Sequence, residues 1–488
     1  MTAINYNKRR PFWVALIATV LISQSAASAQ DNRNKLPEIG TSAVSTLSLD
    51  KEERYGDAMM RSLRASQPIV QDPVLIEYIN HLGNSLVLNA NDVHYKFRFF
   101  ILNNQEINAF AFFGGHIGIH TGLITLADNE SELASVLAHE ISHVTQRHLA
   151  RKMEAQSRTA PMSLAGMISG VLVSLVNPEA GFAILNTSIA AGQQASINYT
   201  RINEKEADRV GIRLLALSGF DPNGAPEFFR KMASKYRYSS KPPAMLLTHP
   251  LPESRIADAR NRAQSLPQKL LPPSLDFELA KARIRARYEG DPSDNVKIFL
   301  SELAKKHYQI EQAAVYGLAM SYFEDKQYQQ AELTLEPLLE QDPQNLFYVD
   351  LMTDIHLQQK HYQQALTMLS KLNLLMPNNQ VVTLNYANAA LQADQLDLAS
   401  QLLQDFIIVQ GDNFIAHDLL SDVYKKQKKD AQMHSSRAEV YALMGVYPKA
   451  IDELQTGLNH TEQHSVMYKR LKARILQFQA QEKELKKL

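Results

Sequence analysis

At 488 residues the chain exceeds what a single compact core ordinarily holds, so two or three domains are expected. It is 45% apolar and 21% charged, and its 51 basic residues offset 51 acidic ones, so no basic excess points to a nucleic-acid partner. There is no cysteine, which excludes disulfides, thiolate metal sites, a cysteine nucleophile and a cysteine-borne lipid anchor.

Lys8, Arg9 and Arg10 form a basic start, Phe12 to Ile22 an apolar stretch, and Ala27-Ser28-Ala29 a small-residue cleavage site. Together these predict a secretory signal peptide over 1–29, cut after Ala29. The competing reading is an uncleaved anchor, but the apolar stretch is short for a membrane span. A cysteine-free exported chain suits the bacterial periplasm, where stray thiols oxidise.

Residues 30–50 are polar and aperiodic. Helical spacing then runs from Glu52 to Ser66 and from Asp72 to Leu88. Tyr95, Phe97, Phe99 and Ile101 alternate with Lys96 and Arg98, a strand signal, and a second strand pair follows between Asn108 and Leu123, broken at Gly114-Gly115. His116 and His120 share one face of that strand and are expected on its polar side. Asn129 with Glu132 three residues on predicts a capped helix start. Pro161 to Val176 is apolar, and reads either as a flap touching the membrane or as a buried helical hairpin. Helical signal resumes near Ser196 and ends at Gly219.

Pro267, Pro272 and Pro273 mark a linker over 266–274, dividing a first domain (30–265) from a second (275–488). In the second, Tyr328-Gln329-Gln330-Ala331 recurs as Tyr362-Gln363-Gln364-Ala365, thirty-four residues later. Asp342-Pro343 is echoed by Pro377, Ala399 and Gly411 keep the register, and Tyr447-Pro448-Lys449-Ala450 marks a further unit out of phase. This is the tetratricopeptide period, with Ala319, Ala331 and Ala365 allowing close helix packing. The basic stretch from Lys469 to Leu488 is expected to be the solvated face of a capping helix.

The chemistry centres on His139-Glu140-Ile141-Ser142-His143. Histidines four apart on a helix project from one face and can ligate one zinc, with Glu140 placed to activate a bound water. A hydrolytic zinc takes three protein ligands and keeps a fourth position for water. A third histidine at 149 would fit one family pattern, but that position is Leu149, and His148 is one residue out of register. Glu204-Lys205-Glu206-Ala207-Asp208 offers an alternative. Glu204 and Asp208 share a helix face, so that one can bind the metal while the other orients a ligand histidine; Glu206 points elsewhere. By itself this cluster reads more readily as a solvated helix face.

His-Glu-x-x-His followed by Glu-x-x-Ala-Asp, with Asn108-Ala109 and Gly114-Gly115 ahead of it, resembles the gluzincin metallopeptidases that include HtpX-type and CAAX-prenyl peptidases. With a signal peptide and tetratricopeptide repeats added, the resemblance is to periplasmic members that act on outer-membrane β-barrel proteins. It implies an α+β zincin-type metalloprotease domain, mostly helical with a small sheet, followed by an all-α repeat solenoid. It further implies one Zn²⁺ per chain held by His139, His143 and Glu204, with Glu140 as general base and Asp208 behind a ligand. It also brings His249, which opens the loop His249-Pro250-Leu251-Pro252 ahead of a helix near Glu253, close to the metal. There His249 is either a fourth ligand that keeps the enzyme latent or a donor to the transition-state oxyanion.

As partners the resemblance implies unfolded or misassembled outer-membrane proteins and the β-barrel assembly machinery, met through the repeats; the 161–176 segment and the basic tail from Lys469 allow a peripheral membrane contact, and the balanced charge gives no support for nucleic acid. A second function stays open beside the protease: an adaptor or chaperone in which the repeats carry the function and the zinc site is largely silent. The Gly114 to Ile119 strand is expected either to pair with an extended substrate or simply to contain a tight turn.

Overall fold

The computed structural model describes residues 47–159, 193–237 and 243–485. The expected signal peptide and the apolar 161–176 segment lie outside the described residues.

Two helices open the fold, α1 (Leu49–Ser66) and α2 (Pro73–Val87), capped by the side chains of Ser48 and Asp72. A three-stranded sheet follows: β1 (Arg98–Leu102), β2 (Ala109–Phe112) and β3 (His116–His120), in the order β1-β3-β2. β3 runs parallel to β1 and antiparallel to β2, with Ile117 opposite both Phe99 and Ala111. Gly114 and Gly115, at φ 73° and 78°, make the β2–β3 turn in backbone that favours glycine.

Two expectations fail here. β3 is the central strand, paired on both sides, so it has no free edge for a substrate. His116 and His120 are buried rather than on a polar face, because the sheet is covered on both sides. Gly83 of α2 meets the Phe99 ring on one side, while Phe100, Phe110 and Phe112 pack with Met59, Leu63 and Met153 on the other. Burial lowers both histidines to a pKa of about 4.

The short α3 (Thr121–Leu126) leads into the buried α4 (Glu130–Thr145). α5 (His148–Thr159), α6 (Gln193–Leu217), α7 (Gly224–Tyr236), α8 (Ala244–Thr248) and α9 (Glu253–Gln264) complete the region ahead of the proline-rich segment.

The rest is helical: α10 (Leu275–Arg287), α11 (Pro292–Lys305), α12 (Glu311–Glu324), α13 (Tyr328–Gln341), α14 (Leu346–Gln358) and α15 (Tyr362–Leu375). The array continues through α16 (Gln380–Gln392), α17 (Leu396–Val409), α18 (Phe414–Lys426), α19 (Asp430–Leu443), α20 (Tyr447–Asn459) and α21 (Val466–Leu485). The thirty-four-residue period is written into the backbone. Lys326, Lys360, Asp394 and Lys428 all turn the chain at positive φ, and Asn345, Asn379 and Asn413 each cap the following helix. Ala331, Ala365 and Ala399 are fully buried where helices cross. Gly445, at φ 72°, makes a tight turn half a period after Lys428, which accounts for the out-of-phase unit at Tyr447. α21 buries Leu471, Ile475 and Phe478 and closes the array.

The 266–274 segment has no regular structure, yet one apolar core runs from Val70 to Val381 across it. Buried Arg283 reinforces that continuity. It bonds Asp72 at 2.7 Å, the Tyr316 hydroxyl at 2.8 Å and Asp350 at 2.5 Å, joining α2 to the repeats. Among the described residues, no helix is long and apolar enough to cross a membrane.

Candidate metal centre

α4 starts where the Asn129 side chain accepts from the Glu132 amide at 3.0 Å; the Glu132 carboxylate accepts in turn from the Asp128 amide. The helix carries His139 and His143 one turn apart, with Glu140 between them and 1% exposed. α6 crosses close to it at Gly211, where a Cβ would lie 3.1 Å from the Ala138 and His139 backbone. That approach brings Glu204 and Asp208 opposite the histidines. The α8–α9 loop supplies His249.

The four groups converge. His139 Nε2 lies 3.0 Å from His143 Nε2, and His249 Nδ1 lies 3.4 Å from His139 Nε2 and 3.1 Å from Glu204 Oε1. Glu204 is 3.4 Å from both His139 Nε2 and His143 Nε2. Ligands roughly 2.0–2.1 Å from a tetrahedral zinc stand about 3.3 Å apart, so these separations fit such an ion. Three imidazoles and a carboxylate also make the donor set that borderline metals favour. Glu140 Oε1 is buried without a hydrogen-bond partner, 3.5 Å from His249 Nε2.

Around the cluster sits a shell of charge. His139 Nδ1 lies 3.0 Å from Asp208 Oδ1. Arg255 donates to both Asp208 oxygens at 2.7 Å, reaches Glu204 at 2.9 Å and donates to the Pro250 carbonyl at 2.7 Å. Burial opposes a charged His139 ring, but Asp208 and Glu204 outweigh it and lift its pKa to about 10. Burial also opposes the Glu204 carboxylate, yet His249 and His143 hold its pKa well below the usual range. The pocket is therefore built to hold positive charge.

Sequence reasoning misses Arg255, and it sets aside His148 and Glu206. Arg147, at φ 52°, reverses the chain after α4 and turns His148 back onto His143, Nδ1 to Nδ1 at 2.9 Å. His148 Nε2 then meets Glu206 at 3.1 Å, and Arg151 holds Glu206 at 3.0 Å. Asp208, a second carboxylate behind the ligands with no cation of its own assigned to it, is the signal that could have found Arg255.

Fold and site together define a metallopeptidase with a repeat domain. Residues 75–263 match the model of Peptidase family M48, and residues 356–413 that of the Tetratricopeptide repeat. The chain is 44% identical to the Beta-barrel assembly-enhancing protease of Escherichia coli (strain K12), covering 96% of each. It is 45% identical to a Putative beta-barrel assembly-enhancing protease of Vibrio cholerae, over 93% of this chain and 94% of that one. A Mitochondrial metalloendopeptidase OMA1 of Schizosaccharomyces pombe is 26% identical over 41% of this chain and 54% of that one. The chain belongs to peptidase family M48, and it is a metalloendopeptidase.

Proposed function

We propose that this chain is a periplasmic zinc endopeptidase, latent while His249 fills the fourth ligand position, that serves assembly and quality control of outer-membrane β-barrel proteins. The observation that carries the reading is the convergence of His139, His143, Glu204 and His249, in a chain 44% identical to an assembly-enhancing protease over nearly its full length. The basic, apolar and small-residue segments of 1–29 support export.

His139, His143 and Glu204 hold the ion. Bound zinc would acidify a water and polarise the scissile carbonyl. Glu140 takes the water proton and later delivers one to the leaving amine. Asp208 Oδ1, 3.0 Å from His139 Nδ1, favours the tautomer whose Nε2 lone pair points inward, while His148 and Glu206 orient His143. Arg255 keeps Asp208 and Glu204 ionised. His249 swings out to admit substrate, whose backbone adds to β2, the edge strand of the sheet. The repeats engage unfolded or misassembled β-barrel proteins and the assembly machinery.

A second reading, an adaptor with a largely silent zinc site, draws support from His249 itself, since a filled fourth position leaves no place for water. A Glu140→Gln variant separates the two. If it keeps its metal but misassembled outer-membrane proteins accumulate in cells, proteolysis is the function; full activity in cells favours the adaptor.

A further inference from the structure

The repeats contain a second group of metal-binding side chains, remote in sequence from the catalytic motif. We propose that Glu332, His356 and His361 form a site for a divalent transition-metal ion of the zinc class at the junction of successive repeats. Glu332 lies on α13, His356 in the last turn of α14, and His361 at the start of α15. One ligand atom from each lies within 4.8 Å of the others.

Local structure brings them together. Lys360, at φ 62°, reverses the chain, and the His361 amide donates to the His356 carbonyl at 2.8 Å, so both rings lie on one side of the turn. Their centroids are 6.2 Å apart. Glu332 Oε1 stands 3.8 Å from His356 Nδ1, while Gln359 donates to the other oxygen, Oε2, at 2.9 Å. Gln359 thus fixes the carboxylate and leaves Oε1 for the ion.

His356 Nδ1 is buried and has no hydrogen-bond partner. Such an atom ordinarily has one, and an ion would supply it. Burial lowers the His356 pKa, which keeps the ring neutral and its lone pair available. Two imidazoles and one carboxylate suit zinc, nickel or copper rather than calcium or magnesium. The exposed His361 ring is free to close on the other two donors, and water completes the shell. A bound ion clips α13, α14 and the start of α15, and so fixes the angle between repeats.

The test is calorimetric titration of Zn²⁺ into the full chain after its catalytic site is filled, with thermal unfolding measured alongside. One further equivalent is expected, weaker than the first, together with a higher Tm. Both effects disappear in His361→Ala, an exposed position whose side chain makes no cap bond, and in Glu332→Gln. The further equivalent persists in Glu204→Gln. Absence of that equivalent in the wild type, its survival unchanged in His361→Ala, or its loss in Glu204→Gln would each overturn the proposal.

Discussion

His249 Nδ1 lies 3.1 Å from Glu204 Oε1, although α7 and α8 come between the two residues in the chain. Under the proposed latency, a histidine held this way would compete with water for the metal. Replacing it with alanine should raise peptidase turnover, measured on an unfolded protein substrate, while zinc content stays the same. A fall in kcat with unchanged zinc would instead make His249 an oxyanion donor.

Arg255 brings a guanidinium against both Asp208, at 2.7 Å, and Glu204, at 2.9 Å. Arg255→Met should strip the guanidinium from two buried carboxylates and cost about 3–5 kcal/mol of stability. Urea unfolding of the metal-free protein measures this; a loss well below about 1 kcal/mol would rule out the role.

His148 orients His143 from behind, so His148→Phe should weaken zinc binding by roughly 10–100-fold while the groups that cleave the peptide bond stay in place. Competition with a chelator of known affinity reads the change. Unaltered zinc affinity would leave His148 a packing residue.

His120 titrates at about 4 in the folded chain, below the ordinary histidine value near 6.5. Its folded pKa is depressed, so stability is full above about pH 6.5 and falls as the unfolded chain takes up the proton, levelling off near pH 4. The full loss is on the order of 3 kcal/mol. His120→Gln should reduce the difference in unfolding free energy between about pH 7 and pH 4.5, compared with wild type, leaving the share that His116 carries. An unchanged difference would show that His120 does not carry that pH dependence.

Much of the fold and the site is legible in the sequence because it is local. His139 and His143 are one turn apart, and the Tyr-Gln-Gln-Ala repeat carries its period openly. Glu204 and Asp208 are legible as a pair, but their place opposite α4 depends on the close crossing at Gly211. The His143–His148–Glu206 chain depends on one residue, Arg147, turning the backbone left-handed, which no side-chain pattern announces. The burial of His116 and His120 is hidden too. Alternation with Lys96 and Arg98 suggests one wet face, whereas aromatic side chains and the flanking helices cover both.

Metal content tests the central claim most directly. Purified wild type, Glu204→Gln and Glu206→Gln are dialysed against metal-free buffer and assayed for zinc. The account predicts about one zinc per chain in wild type, loss in Glu204→Gln and retention with weaker affinity in Glu206→Gln. A folded wild-type protein without zinc, or a Glu204→Gln variant that keeps it as tightly, would contradict the account.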